Sequence, residues 1–282
     1  VTTPRIGAHF SVSGSLEQAA RTAHKAGANT LQIFTASPRM WRGSRPDAGD
    51  VQRFAAARAE LDLAPLAVHA NYLINLASID ETIRGKSVQA FREELLRCLL
   101  LGVDFLVVHP GNYKDQSVET GIAAVALAVM EAAEGLPETR LTLLLENTAG
   151  QGASLGSRPR ELAMIRALTE GKLPFRTGYC LDTCHCFAAG IDLIESAALL
   201  GFEHVHVIHS NDSKAPRGSR VDRHEKIGQG CIGETPFQQI LTHPELRKKA
   251  FILEVPCEED ADYAVEIAVL KRLANFPRLP AG

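Results

Sequence analysis

Short apolar runs rich in β-branched residues alternate with stretches of helical spacing from one end of the chain to the other. The runs predict strands at Ile6–Phe10, Leu31–Phe34, Leu66–Ala70, Phe105–His109, Leu141–Glu146, Gly178–Asp182, Val205–His209 and Phe251–Val255. Between them apolar positions recur every three or four residues, as over 16–26, 91–101, 118–133 and 260–273, the spacing of one buried helix face. In the second of these helices Glu93, Glu94 and Arg97 are expected to point outward. Strands that alternate with helices form a parallel sheet, and eight such units predict an α/β fold of the (β/α)8 TIM-barrel type. A doubly wound sheet would carry a glycine-rich turn after its first strand, and His9-Phe10-Ser11-Val12-Ser13-Gly14 is not one. No Pro/Gly/Ser linker divides the chain, so 1–282 is expected to be a single catalytic domain. The least regular stretch is Ser210–Gly233, a loop long enough to be functional or disordered.

The predicted strands end in reactive residues. His9 closes the first, His69 the third, His109 the fourth, Glu146 the fifth and Asp182 the sixth, with His185 just beyond it. His209 closes the seventh and Glu254 the eighth. In a barrel these all lie at one mouth, where active sites are built. Side chains alternate along a strand, so His69 shares a face with Ala67, His109 with Val107 and Phe105, and Glu146 with Leu144. Asp182 likewise shares a face with Cys180, His209 with Val207, and Glu254 with Ile252. His206 has the opposite parity to His209 and is expected to face the helices. Any one of these polar residues can be a satisfied strand end. Burying six or more at one mouth without partners is costly, and metal ions remove that cost. Imidazoles and carboxylates without thiolates suit zinc, manganese or iron. Nine candidates, His69, His109, Glu146, Asp182, His185, His209, Asp222, His224 and Glu254, are too many for one ion and suit a cluster. Asp222 and His224 are two apart and can point the same way, whereas Asp182 and His185, three apart, can reach different ions.

Composition narrows the class. The chain is 45% hydrophobic and 22% charged, which excludes disordered and collagen-like structure. No apolar run reaches membrane-spanning length, and Val1–Gly7 shows no signal segment, so a cytoplasmic protein is expected, with no membrane partner. Six cysteines without a C-x-x-C pair read as buried, reduced thiols rather than a disulfide framework. The formal net charge of −3 argues mildly against nucleic-acid binding. Gly228-Gln229-Gly230-Cys231-Ile232-Gly233 matches a dinucleotide fingerprint letter by letter, but it follows a charged loop instead of a strand.

Several longer pieces stand out; among them Asp182-Thr183-Cys184-His185 and Arg220-Val221-Asp222-Arg223-His224 are specific and the glycine pieces are not. Ile6-Gly7-Ala8-His9, Tyr72-Leu73-Ile74-Asn75-Leu76, His109-Pro110-Gly111 and Glu146-Asn147-Thr148-Ala149-Gly150-Gln151-Gly152 come first. Asp182-Thr183-Cys184-His185, Ser219-Arg220-Val221-Asp222-Arg223-His224, the glycine-rich Gly228–Gly233 and Leu253-Glu254 follow. Together, and over nearly the whole chain, they resemble the endonuclease IV family of apurinic/apyrimidinic endonucleases. The resemblance implies three zinc ions per chain, with manganese or iron acceptable at some sites. It implies that His69, His109 and Glu146 hold the first ion. Glu146, Asp182, His209 and Glu254 would hold the second, with Glu146 as the bridging catalytic residue. His185, Asp222 and His224 would hold the third. His9 is expected to support a ligand without holding an ion. Arg39, Tyr72 and Leu73 would enter the DNA at the lesion, although Ala36-Ser37-Pro38 and Val255-Pro256 depart from the pattern of some members. Lys214, Arg217, Arg220 and Arg223 would contact backbone phosphates. The implied partner is double-stranded DNA containing abasic sites. The implied reaction, carried out by a monomer, is base-excision-repair hydrolysis 5′ to the lesion that leaves a 3′-hydroxyl and a 5′-deoxyribose phosphate.

Overall fold

The computed structural model describes residues 4–37 and 39–275. Val1–Thr3 and Pro38, cited above, lie outside them. Eight parallel strands close into a barrel. They are β1 (Arg5–His9), β2 (Thr30–Ile33), β3 (Leu66–His69), β4 (Phe105–Val108), β5 (Thr142–Glu146), β6 (Arg176–Asp182), β7 (Val205–His209) and, after the two-stranded hairpin β8 (Asp212–Ser213) and β9 (His224–Glu225), β10 (Ala250–Leu253). Closure is made by β1 pairing with both β10 and β2. At Gly7 a Cβ would collide with the Thr30 carbonyl, so only glycine lets β1 and β2 approach this closely.

The helices are α1 (Leu16–Lys25), α2 (Ala48–Glu60), α3 (Glu81–Leu101), α4 (Val118–Ala133), α5 (Pro159–Thr169), α6 (Thr183–Ala188), α7 (Leu193–Leu200), α8 (Glu234–Thr242) and α9 (Tyr263–Ala274). Side chains of Ser15, Asp47, Asp80, Ser117, Asp182 and Asp192 accept from the first turns of α1, α2, α3, α4, α6 and α7, satisfying donors that a helix start leaves open. One apolar core lies between strands and helices. A second fills the barrel, built from Val107, Leu144, Cys180, Val207, Ala250 and Ile252 over Phe105. These include most of the residues that strand alternation places beneath His109, Glu146, Asp182, His209 and Glu254.

Two expectations from periodicity fail. Glu94 and Arg97 are buried, not outward. They pair at 2.5 Å, and Thr35, just past β2, accepts from Arg97 at 2.7 Å while donating to Glu94. Helical spacing marks charged positions as solvent-facing, yet here the loop leaving β2 covers that face of α3. His206 does not face the helices. A register shift between β6 and β7 leaves Tyr179 opposite Val205 but Cys180 opposite Val207. The bulge turns the His206 ring toward Gly178 and stacks it on Phe105, centroids 5.2 Å apart, at the foot of the barrel. There burial, helped by Lys249, His204 and Arg176, lowers its pKa to about 4. The irregular 210–233 segment is also ordered. Asp212, fully buried, accepts from the N–H groups of Ser213, Gly228, Gly230, Ile232 and Gly233 at 2.7–3.3 Å. The glycine-rich piece thus cradles the protein's own carboxylate, leaving no open nest for a dinucleotide phosphate.

Candidate metal centre

The nine candidate ligands converge at the C-terminal mouth. Their donor atoms fall into three groups, each with all members within 4.8 Å of one another: His69, His109 and Glu146; Glu146, Asp182, His209 and Glu254; and His185, Asp222 and His224. Strand ends deliver most of them, α6 carries His185, and the β8–β9 hairpin brings in Asp222 and His224. Glu146 belongs to two groups because its oxygens face opposite ways. Oε2 lies 3.0 Å from His69 Nε2 and 3.4 Å from His109 Nε2, while Oε1 lies 2.8 Å from His209 Nδ1. Asp222 stands 3.2 Å from His185 Nε2 and 3.3 Å from His224 Nε2. Two further groupings substitute Cys180 or Cys184. Burial pushes both thiols up to about 12, so imidazole and carboxylate are the readier donors.

The second layer of contacts fixes which nitrogen each imidazole presents. His69 Nδ1 pairs with the Ala70 carbonyl at 2.8 Å, His185 Nδ1 with the Asn147 carbonyl at 3.0 Å, and His224 Nδ1 with the Glu254 carbonyl at 3.1 Å. A carbonyl can only accept, so each Nδ1 donates, and it is Nε2 that each ring turns to the centre, ready to act as a ligand once that nitrogen has lost its proton. Gln32 orients His209 from the other side, with its Oε1 2.9 Å from His209 Nε2 and its Nε2 donating to Glu254 at 2.6 Å. Gln32 also lies 3.1 Å from His9 Nδ1, which sits 3.6 Å from Glu254. His9 therefore backs a carboxylate instead of joining a donor group. Asn211 donates to Asp182 at 2.6 Å and accepts from Glu254 N–H at 2.8 Å. Neither Gln32 nor Asn211 is among the candidates that the sequence suggests. A glutamine inside the apolar run of β2, on the parity of the barrel interior, is the sequence signal that marks the first, and the structure buries it fully.

Charge is concentrated here. Among the described residues Glu146, Asp182, Asp222 and Glu254 have only histidines as ion-pair partners. Burial works against the Glu146 charge, yet His109 and His209 hold its carboxyl well below the usual range. Burial likewise opposes charge on His185 and His224, but Asp182 and Asp222 lift them to about 10 and about 9. His109 goes the other way, lowered by burial to about 4. Among the described residues, His109 Nδ1 and His9 Nε2 are buried without a hydrogen-bond partner, and His224 Nε2 has the 3.3 Å approach of Asp222. Carboxylates balanced only by imidazoles, gathered in groups of three and four, form a donor set that suits divalent cations.

Around the mouth, Tyr72 is exposed and sits edge-on to Phe34, centroids 5.3 Å apart, and 5.4 Å from the His69 ring. Asn71 joins its loop to that of Arg39: its side chain donates to the Ser37 and Met40 carbonyls and accepts from Leu73 N–H at 2.7 Å. Lys214 pairs with Glu225 at 3.6 Å, Arg217 donates to the Gly190 carbonyl, and Arg223 to the Asp222 carbonyl. Arg220 is exposed.

Residues 20–273 match the model of the xylose isomerase-like TIM barrel family. The chain is 52% identical to the "Probable endonuclease 4" of Solibacter usitatus, with 96% of this chain and 97% of that protein covered. The crystal structure of endonuclease IV from Thermus thermophilus superposes with a TM-score of 0.82 at 36% identity, covering 95% of this chain and all of that one. A D-tagatose 3-epimerase-like protein shares the fold alone, with a TM-score of 0.71 at 20% identity over 96% and 98% of the two chains. With that identity sustained over almost the full length of both chains, and the mouth built as described, this chain belongs to the endonuclease IV family.

Proposed function

We propose that this protein is a single-domain, metal-dependent repair endonuclease that hydrolyses the phosphodiester 5′ to an abasic site in double-stranded DNA. The observation that carries the reading is Glu146, one buried carboxylate whose two oxygens serve two donor groups, with a third group beside them in which Asp222 stands 3.2 and 3.3 Å from two imidazoles. The residues fit three divalent ions: His69, His109 and Glu146 for one, Glu146, Asp182, His209 and Glu254 for the next, and His185, Asp222 and His224 for the last. Zinc suits this set, with manganese or iron acceptable at some sites. When bound, such ions supply Lewis-acid stabilisation of the phosphoryl charge and activation of water near neutral pH.

The chain's own groups do the rest. Gln32 and Asn211 hold the carboxylates in one orientation, and the Nδ1–H bonds to backbone carbonyls hold the imidazoles. Four carboxylates against three divalent ions leave a surplus of about two positive charges, a local field that attracts phosphate although the chain as a whole carries −3. Arg39, Tyr72 and Leu73 fill the space of the missing base, and Lys214, Arg217, Arg220 and Arg223 contact phosphates on the flanks. An abasic sugar lacks pairing and costs least to extrude. Incision of a duplex with one abasic site, with product ends analysed, is the direct test; a 3′-hydroxyl and a 5′-deoxyribose phosphate are expected, and an intact duplex refutes the reading.

Two further outcomes follow from the same arrangement. Elemental analysis of protein purified without chelators should give about three divalent ions per chain, mainly zinc; a value near one, with full activity, overturns the cluster. The triple variant Arg39→Ala, Tyr72→Ala, Leu73→Ala should keep its metal content but lose discrimination between abasic and intact duplex. Full lesion preference in that variant would show the wedge is elsewhere.

A further inference from the structure

A groove of about 750 Å³ opens between the first turn of α5, the end of α7 and the segment that carries Arg220. It adjoins the mouth, since its wall includes Ala149 and Gly150, shortly after Glu146, and Arg220, two residues before Asp222. Its lining is apolar below, with Ile191 and Leu200, and cationic above, with Arg158, Arg160 and Arg220 exposed. Among the described residues none of these three arginines has an ion-pair partner, and Glu161 turns its carboxylate onto the Gly156 N–H at 2.7 Å instead. The start of α5 has no side-chain cap and Pro159 in its first turn, so the positive end of the helix dipole faces the same space. Arg220 is held at φ 55, a left-handed conformation that a residue with a Cβ rarely adopts, by its N–H bond to the Ala188 carbonyl at 2.9 Å. Backbone strain of this kind points to a role for the side chain it aims. The described lining has no aromatic ring on which a base could stack, so the groove suits phosphates and not bases.

We propose that this groove is an outlying subsite for the phosphodiester backbone of the DNA duplex, with Arg158 and Arg160 as its contacts. The inference rests on the nuclease reading and extends it to a surface outside the mouth. The contact is independent of sequence and of the lesion, and it acts on affinity while the chemical step is left alone.

The test uses the metal-loaded protein and abasic duplexes shortened stepwise from each end in turn. On long duplexes Arg158→Ala/Arg160→Ala should raise KM roughly tenfold at low salt and flatten the slope of log affinity against log salt by about 1–2, with kcat unchanged. As the duplex is trimmed past the groove from one end, variant and wild type should converge. Arg160→Glu guards against a folding defect: an acidic residue in the first turn of α5 stabilises the helix, so weaker DNA binding in that variant reports the groove itself. Equal KM and salt slope on the longest duplex overturn the proposal, and so does a loss of the same size at every length. If the wild type cuts no abasic duplex, the nuclease reading fails. Titration of an intact duplex with and without the arginines still decides the groove, because the same fall in salt slope is expected there.

Discussion

Glu146→Gln is expected to lower turnover of an abasic duplex by roughly 10³-fold or more while duplex binding survives. The exchange keeps shape and volume but turns one carboxylate oxygen into an amide N–H₂. That oxygen faces either His69 and His109, at 3.0 and 3.4 Å, or His209, at 2.8 Å. A donor cannot take the place of an acceptor there, and one of the two donor groups sharing Glu146 loses its anionic member. The phosphate contacts assigned to the basic residues of the 214–223 segment lie elsewhere, so affinity should be spared. Single-turnover incision with a parallel binding titration separates the two quantities. Near-native turnover would mean that Glu146 is not shared between ions.

Asp222→Ala with His224→Ala should give a folded protein that lacks about one ion and cleaves at least roughly 10²-fold more slowly. The Asp222 side chain is 47% exposed and His224 18%, so truncation leaves no large cavity in either core. The segment is anchored independently through Asp212, which keeps its five backbone donors in the variant. This pair also separates the nuclease from a second reading, a sugar isomerase, which the xylose isomerase-like barrel allows. A sugar isomerase on a similar barrel uses about two ions and has least need of His185, Asp222 and His224. A double variant that retains its full metal complement, or cuts normally, removes the three-ion nuclease and favours the isomerase.

Much of this was legible in the chain because a barrel strand writes its geometry in a period of two. The alternation beneath His109, Glu146, Asp182, His209 and Glu254 reappears as the packed interior of the barrel, and the eight expected strands match the eight barrel strands to within two residues at every end. What failed did so where a local period stops being informative. Glu94 and Arg97 look like solvent positions on a helix until a loop from a distant strand closes over them. His206 looks outward until a bulge shifts its register. Gln32 and Asn211 were missed because an amide carries no charge and belongs to no familiar ligand set, although their hydrogen bonds decide where the carboxylates point. The first turns of α3 were missed as well, since their exposed residues, Gly85 among them, interrupt the apolar spacing that the later turns keep.

The carboxylate of Asp212 has one more consequence. Because five amides converge on it, the two ends of the segment between Ser213 and Gly233 are tied to one point, which lowers the entropy left to the loop between them. Any cation captured by Asp222 and His224 then meets a preorganised pair of donors. Less of its binding free energy is then spent on ordering the loop. An internal carboxylate takes the place that an external phosphate takes in nucleotide-binding loops.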